Sequence, residues 1–181
     1  MKNEKIKKIT LTAVFLSTGL VLPFLTAQVP EIGERLLPLH IPVFLCSLIC
    51  GPQYGAICGV CLPFLRSFLF GMPELYPSAV SMGFELPAYA VVCGLIYLKF
   101  KKKNLVAIYT SLISSMLAGR LVYAVVQSFI LGLGDDGLTL SLFIAKAFTR
   151  PLPGIILQLI LVPAIVMSLT ALNNKINSQK K

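Results

Sequence analysis

The sequence predicts an all-α integral membrane protein: a single six-helix transmembrane bundle with both termini in the cytoplasm. Three observations carry this. Hydrophobic residues make up 56% of the 181 residues and charged residues 13%, against about 25% charged in a typical soluble domain. A chain of this length buries only about two-thirds of its surface in water, so the surplus apolar side chains must face lipid or partners. The apolar residues also fall in long continuous runs, not in the alternating strands of a membrane β-barrel, and backbone groups in lipid must be satisfied within their own segment, which makes helices the default. Lastly, all but one of the lysines behind the net charge of +9 gather at the two ends and in one loop, which an even number of spans places on one side. In a soluble chain this charge would point to nucleic acid; here it is read as topology, and no nucleic-acid partner is expected.

The elements follow in order. Residues 1–8 are a basic cytoplasmic tail carrying Lys2, Lys5, Lys7 and Lys8. The first span covers 9–27 and is broken by Pro30, Glu31, Gly33, Glu34 and Arg35. It lacks a small-x-small cleavage pattern before that break, so it reads as a retained helix and not a signal peptide. The second span, 38–50, is short and ends at Gly51-Pro52. The third, 53–70, stops at Gly71-Met72-Pro73-Glu74. The fourth, 76–98, closes at Lys99, Lys101, Lys102 and Lys103. The fifth, 105–133, ends in the turn Gly134-Asp135-Asp136-Gly137. The sixth, 138–172, contains Arg150, Pro151 and Pro153, and the tail 173–181 holds Lys175, Lys180 and Lys181. Residues 9–172 therefore form one membrane domain. By the positive-inside rule the three lysine clusters are cytoplasmic, and Glu31, Glu34, Glu74, Asp135 and Asp136 lie outside.

Five cysteines, Cys46, Cys50, Cys58, Cys61 and Cys93, all fall inside apolar runs. With a single histidine in the chain they read as small packing residues, and neither a metal site nor a cofactor is expected. The informative residues are the ionisable ones within spans, where charge is costly and points to function. The five candidates are His40, Arg66, Glu85, Arg120 and Arg150, and Lys146 also falls within the run 138–172. At a rise of about 1.5 Å per residue, Arg66 lies about 7 Å and Glu85 about 12–14 Å below the outer ends of their spans. His40 opens the second span on the outer side. Arg120 and Arg150 are each about 15 residues from the Asp135-Asp136 turn, at similar depth on antiparallel helices. All five line the outer half, which describes a polar pocket reached from outside. One acid does not neutralise three arginines, so an anionic or zwitterionic ligand is expected, held by the forked donors of arginine. Tyr89, one turn past Glu85, and Tyr123 and Gln127, three and seven residues past Arg120, share those faces. Gln158 is expected to lie deeper. Internal pairing of Glu85 with an arginine, as glue between helices, is the structural alternative.

No phosphate-binding Gly-rich loop, zinc-protease motif or nucleophile elbow is present, so the chain is not expected to be an enzyme or to hydrolyse ATP by that device. It is also too short for most transporters that pair two repeats. A binding subunit that draws its energy from a partner is the leading reading. A membrane enzyme or lipid-handling protein using Glu85 and His40 as an acid–base pair is the alternative. A small channel would need a pore polar across its whole depth.

The chain resembles the substrate-binding S components of energy-coupling factor (ECF) vitamin transporters. The resemblance rests on six spans in about 180 residues, with both termini inside. It rests most on the block Leu37-Pro-Leu-His-Ile-Pro-Val-Phe-Leu-Cys-Ser-Leu-Ile-Cys-Gly51, followed by Pro52 and Tyr54-Gly55, and on Pro63-Phe-Leu-Arg-Ser-Phe-Leu-Phe-Gly-Met-Pro73. It implies high-affinity capture of a small water-soluble vitamin, and partners in the bilayer and below it: a membrane coupling protein and two ATPase subunits. It also implies docking through an Ala-x-x-x-Ala motif in the first helix. The matching positions are Ala13 and Ser17, so serine replaces the second alanine. The family's thiamine members use pocket tryptophans, and this chain has none. A pantothenate-like carboxylate fits the arginines, and a pyridoxine-like vitamin, a folate and a queuosine precursor stay open.

Overall fold

The computed structural model describes residues 2–26, 35–131 and 151–179. No strand occurs among them. Helix α1 is Lys2–Val21 and runs into a 3-10 turn, Leu22–Thr26; α2 is His40–Cys50 and α3 is Pro52–Phe70. A π turn, Leu75–Ala79, leads into α4, Val80–Lys99; α5 is Leu105–Leu131 and α6 is Leu152–Gln179. Among the described residues, five helices are long and apolar enough to cross a membrane, and the eleven-residue α2 is the exception. At about 1.5 Å per residue α2 covers roughly half of a hydrocarbon core about 30 Å thick.

The shortness of α2 explains its place. It is apolar all round, and a helix of that kind is buried on every side. Val43, Phe44, Cys46 and Cys50 are all 1% exposed or less. The helix packs against α1, α3, α4 and α6. On one side lie Tyr89, Ile108, Leu112 and Val162 with Phe44 and Leu45; on the other lie Cys58, Leu62, Leu86 and Ala90 with Val43 and Cys46. The cysteines are free thiols, and Cys46 Sγ donates to Thr12 Oγ1 at 3.6 Å.

The punctuation read from the sequence has local causes. Gly51 joins α2 to α3 at φ +109°, a left-handed conformation that side chains resist, and Pro52 starts α3 where its missing N–H is not needed. Asn104 Oδ1 caps α5 by accepting from the Ala107 N–H at 3.0 Å. In the same loop Lys103 Nζ sits 3.9 Å from the centre of the Tyr97 ring, and burial holds its ammonium pKa below the ordinary lysine value.

One boundary differs from the sequence expectation. The last helix begins at Leu152, not at 138. The Ile155 N–H donates to the Pro151 carbonyl at 2.9 Å, so Pro151 supplies the first acceptor of the helix and Pro153 sits in the first turn, where proline is tolerated. Residues 132–150, with the Asp135-Asp136 turn and Arg150, lie outside the described residues.

Helices α3 and α4 meet backbone to backbone. A Cβ built on Gly59 would lie 2.8 Å from Leu86 C and Pro87 N, atoms that have no rotamer to yield. Gly59→Leu is therefore expected to cost about 1–3 kcal/mol by overpacking. Thermal denaturation in detergent should show a clear fall, with Val60→Leu, on the exposed face beside it, unchanged. Equal midpoints for the two variants would show that the contact is dispensable.

Candidate functional site

The polar side chains expected to line a pocket come largely from helical spacing on two neighbouring helices, α4 and α5. On α4, Ser81, Glu85 and Tyr89 recur every four residues and share one face. On α5, Arg120, Tyr123 and Gln127, spaced by three and four residues, also share one face. The helices pair so that the residues meet in layers. In the inner layer Arg120 Nη1 donates to Glu85 Oε1 at 3.0 Å, and the Tyr89 hydroxyl donates to the same oxygen at 3.1 Å. Glu85 is 2% exposed and Arg120 6%. In the outer layer Ser81 Oγ lies 3.3 Å from Gln127 Oε1, and Gln127 Nε2 donates to the Tyr123 hydroxyl at 2.9 Å.

Helix α2 closes the inner layer from the side. The His40 ring meets the Tyr89 ring edge to face at 5.2 Å, and Phe44 meets it at 5.4 Å. A Cβ on Gly119 would lie 2.7 Å from the Tyr89 ring, so only glycine at 119 leaves the tyrosine room against α5. Both imidazole nitrogens of His40 and Nη2 of Arg120 are buried with no hydrogen-bond partner among the described residues. An orphaned buried polar atom costs about 1–3 kcal/mol. Three of them in one cluster mark a site whose polar groups are not all satisfied among the described residues.

A cavity of about 250 Å³ adjoins this cluster, with Tyr89, Arg120 and Gln158 in its wall beside Leu37, Met116 and Leu159. Mostly apolar walls with a few convergent polar groups are the usual make-up of a small-molecule site. Gln158 is 1% exposed, and its Nε2 reaches the Leu37 carbonyl at 3.5 Å. The sequence expectation sets it deeper than Arg150, eight residues before it, and Arg150 lies outside the described residues. With the helix starting at Leu152, Gln158 falls in its second turn and joins the cavity. A glutamine inside an apolar span was the available signal. Ser81, the partner of Gln127, carried no signal, since serine is common in apolar helices.

The structure thus brings His40, Glu85, Tyr89 and Arg120 together and sets Tyr123 and Gln127 in the next layer. Arg66 sits elsewhere, against the C-terminal end of α1, where its Nη1 donates to the Leu20 carbonyl at 2.8 Å. The charge count changes with it: Glu85 balances Arg120 in the inner layer, Arg66 has its own setting, and Arg150 lies outside the described residues. The acid–base pairing of Glu85 with His40 finds no support in this geometry, because Glu85 Oε1 is taken by Arg120 and Tyr89 and neither imidazole nitrogen is bonded. Among the described residues, no group of three His, Cys, Asp or Glu side chains can hold a metal ion.

On α1, Ala13 and Ser17 are exposed on one face, and the Ser17 hydroxyl donates to the Ala13 carbonyl at 3.0 Å. The hydroxyl is satisfied inside its own helix, so position 17 presents a small surface much as alanine would.

The family model for the substrate-specific component of ECF transporters matches residues 7–168. No curated protein and no solved structure matches the chain.

Proposed function

The chain belongs to the family of ECF transporter substrate-specific components, and on that premise we propose that its Glu85–Arg120 site captures a small water-soluble vitamin or precursor from outside the cell. Membership makes it a multi-pass membrane protein and the substrate-binding subunit of an importer, working with a coupling protein and ATPases, and not an enzyme. The finer reading is a ligand that is anionic or zwitterionic, pantothenate-like in preference to pyridoxine-like, folate or a queuosine precursor. The observation that supports it is the orphaned Nη2 of Arg120: one edge of the guanidinium is held by Glu85, and the other is a buried donor without an acceptor, next to a cavity. A ligand carboxylate or carbonyl supplies that acceptor, and an aliphatic body suits walls such as Met116 and Leu159. Arg150 is the proposed second cation of this site, His40 and Tyr89 its side wall, and Tyr123 and Gln127 its outer layer.

Mass spectrometry of small molecules released from the purified protein tests this. A carboxylate-bearing vitamin or precursor is the expected compound. Release of a cationic compound would overturn the reading.

The proposed orientation puts both termini and the Lys99–Lys103 loop in the cytoplasm. In a background without the native cysteines, an impermeant thiol reagent added to intact cells should label Glu74→Cys and spare Lys102→Cys; both wild-type side chains are exposed. The opposite pattern would invert the topology.

A further inference from the structure

We propose that Arg66 is a positioning residue and not a ligand group: it latches the outer end of α1 to α3 and so ties the docking helix to the ligand site. The guanidinium is buried, at 3% exposure. Its carbon lies 5.6 Å from the Phe24 ring centre and 5.4 Å from that of Phe70, and the two rings pack edge to face at 5.0 Å. Guanidinium over aromatic faces is a favourable desolvated contact. The rings come from the two segments being joined, the 3-10 turn after α1 and the last residue of α3.

The hydrogen bond has a reason in the chain itself. Helix α1 tightens into a 3-10 turn after Val21, and the residue that would donate a 3-10 bond to Leu20 O is residue 23. That residue is Pro23, which has no N–H. Arg66 Nη1 supplies a donor at 2.8 Å, and a cation at the C-terminal end of α1 also meets the negative end of its dipole.

The latch continues toward the site. Gly19 of α1 packs on Leu62 of α3, and Gly59 of α3 packs on Leu86 and Pro87 of α4, the two residues that follow Glu85. A displacement of α1 therefore has a path of close contacts to the Glu85–Arg120 pair, through the Leu62 side chain and then the Gly59 backbone crossing. The functional consequence rests on the reading above that α1 docks on the coupling protein.

Two measurements on the purified full-length protein test this. Amide hydrogen exchange over residues 14–24 requires no ligand. Loss of a hydrogen bond to a charged group should raise local opening by roughly tenfold or more in Arg66→Gln, while α4 and α5 keep wild-type protection. Unchanged exchange at 14–24 would overturn the latch. A binding isotherm with labelled pantothenate as probe should give Arg66→Gln an affinity within about twofold of wild type, against the roughly 30-fold or greater loss expected of Arg120→Ala. A loss in Arg66→Gln as large as in Arg120→Ala would overturn the proposal by making Arg66 a ligand group. If wild type does not bind pantothenate, the substrate reading fails by itself, and the exchange experiment still decides the latch.

Discussion

Arg120→Ala is expected to lower ligand affinity by at least about 30-fold, because a desolvated charge that loses its partner costs about 2–5 kcal/mol. It should also destabilise the protein. Glu85 is 2% exposed and would be left as an uncompensated buried carboxylate, a loss of about 3–5 kcal/mol when one member of a buried pair is removed. The two effects separate with a second variant. Replacing both members, Glu85→Leu with Arg120→Met, removes the pair without stranding a charge, and such replacements are often neutral or stabilising. The double variant should regain much of the thermal stability lost in Arg120→Ala and still fail to bind. Arg120→Lys should keep Glu85 paired but lose the fork that presents a second nitrogen, giving a stable protein with weakened binding. Wild-type affinity in the double variant would show that the pair is interhelical glue and that the ligand sits elsewhere.

Ala13→Trp and Ser17→Trp are expected to abolish uptake and leave binding intact. Both side chains are exposed on one face of α1, and the small pair permits close approach of a partner helix. An indole there holds the helices apart. Residues 13 and 17 lie in the cytoplasmic part of the span in the proposed orientation, while His40, Glu85 and Arg120 belong to the outer half. Affinity of the purified subunit should therefore stay within about twofold of wild type, and uptake by cells carrying the coupling protein and ATPases should fall by roughly tenfold or more, as expected when close packing of small residues is blocked. Undiminished uptake in either variant would remove Ala13 and Ser17 from the docking surface. Ser17→Ala should transport normally, since the Ser17 hydroxyl is already satisfied by Ala13 O at 3.0 Å.

Much of this site is legible along the chain because a helix converts spacing into geometry. Glu85 with Tyr89, and Arg120 with Tyr123 and Gln127, share faces through the 3.6-residue period alone. The shortness of α2 is legible too, as an apolar run of about a dozen residues closed by Gly51-Pro52; along the chain it reads as one of six spans, and among the described residues it is the helix not long enough to cross. Arg66 shows the limit of the same reasoning. Spacing sets it near the C-terminal end of α3, but position along a helix does not state azimuth. Its partners are set by the turn after α1, where Pro23 lies forty-three residues away in sequence. The start of α6 shows a second limit: the run from 138 reads as one span, and the last helix begins at Leu152.

The sequence by itself determined the membrane class, the helical content, the family and the set of costly polar residues. The class, the helical content and the costly polar residues follow from composition, run length and periodicity, and the family from the motifs of the chain; none of these needs knowledge of which helix lies beside which. Only the tertiary structure decided how those residues pair: Arg120 to Glu85, Gln127 to Ser81, Arg66 to Leu20, and His40 and Arg120 left with buried atoms unspent. Pairing depends on helix crossings, and the closest of these rest on glycines such as Gly59 and Gly119. There the missing Cβ allows a separation that no residue count along a single helix encodes.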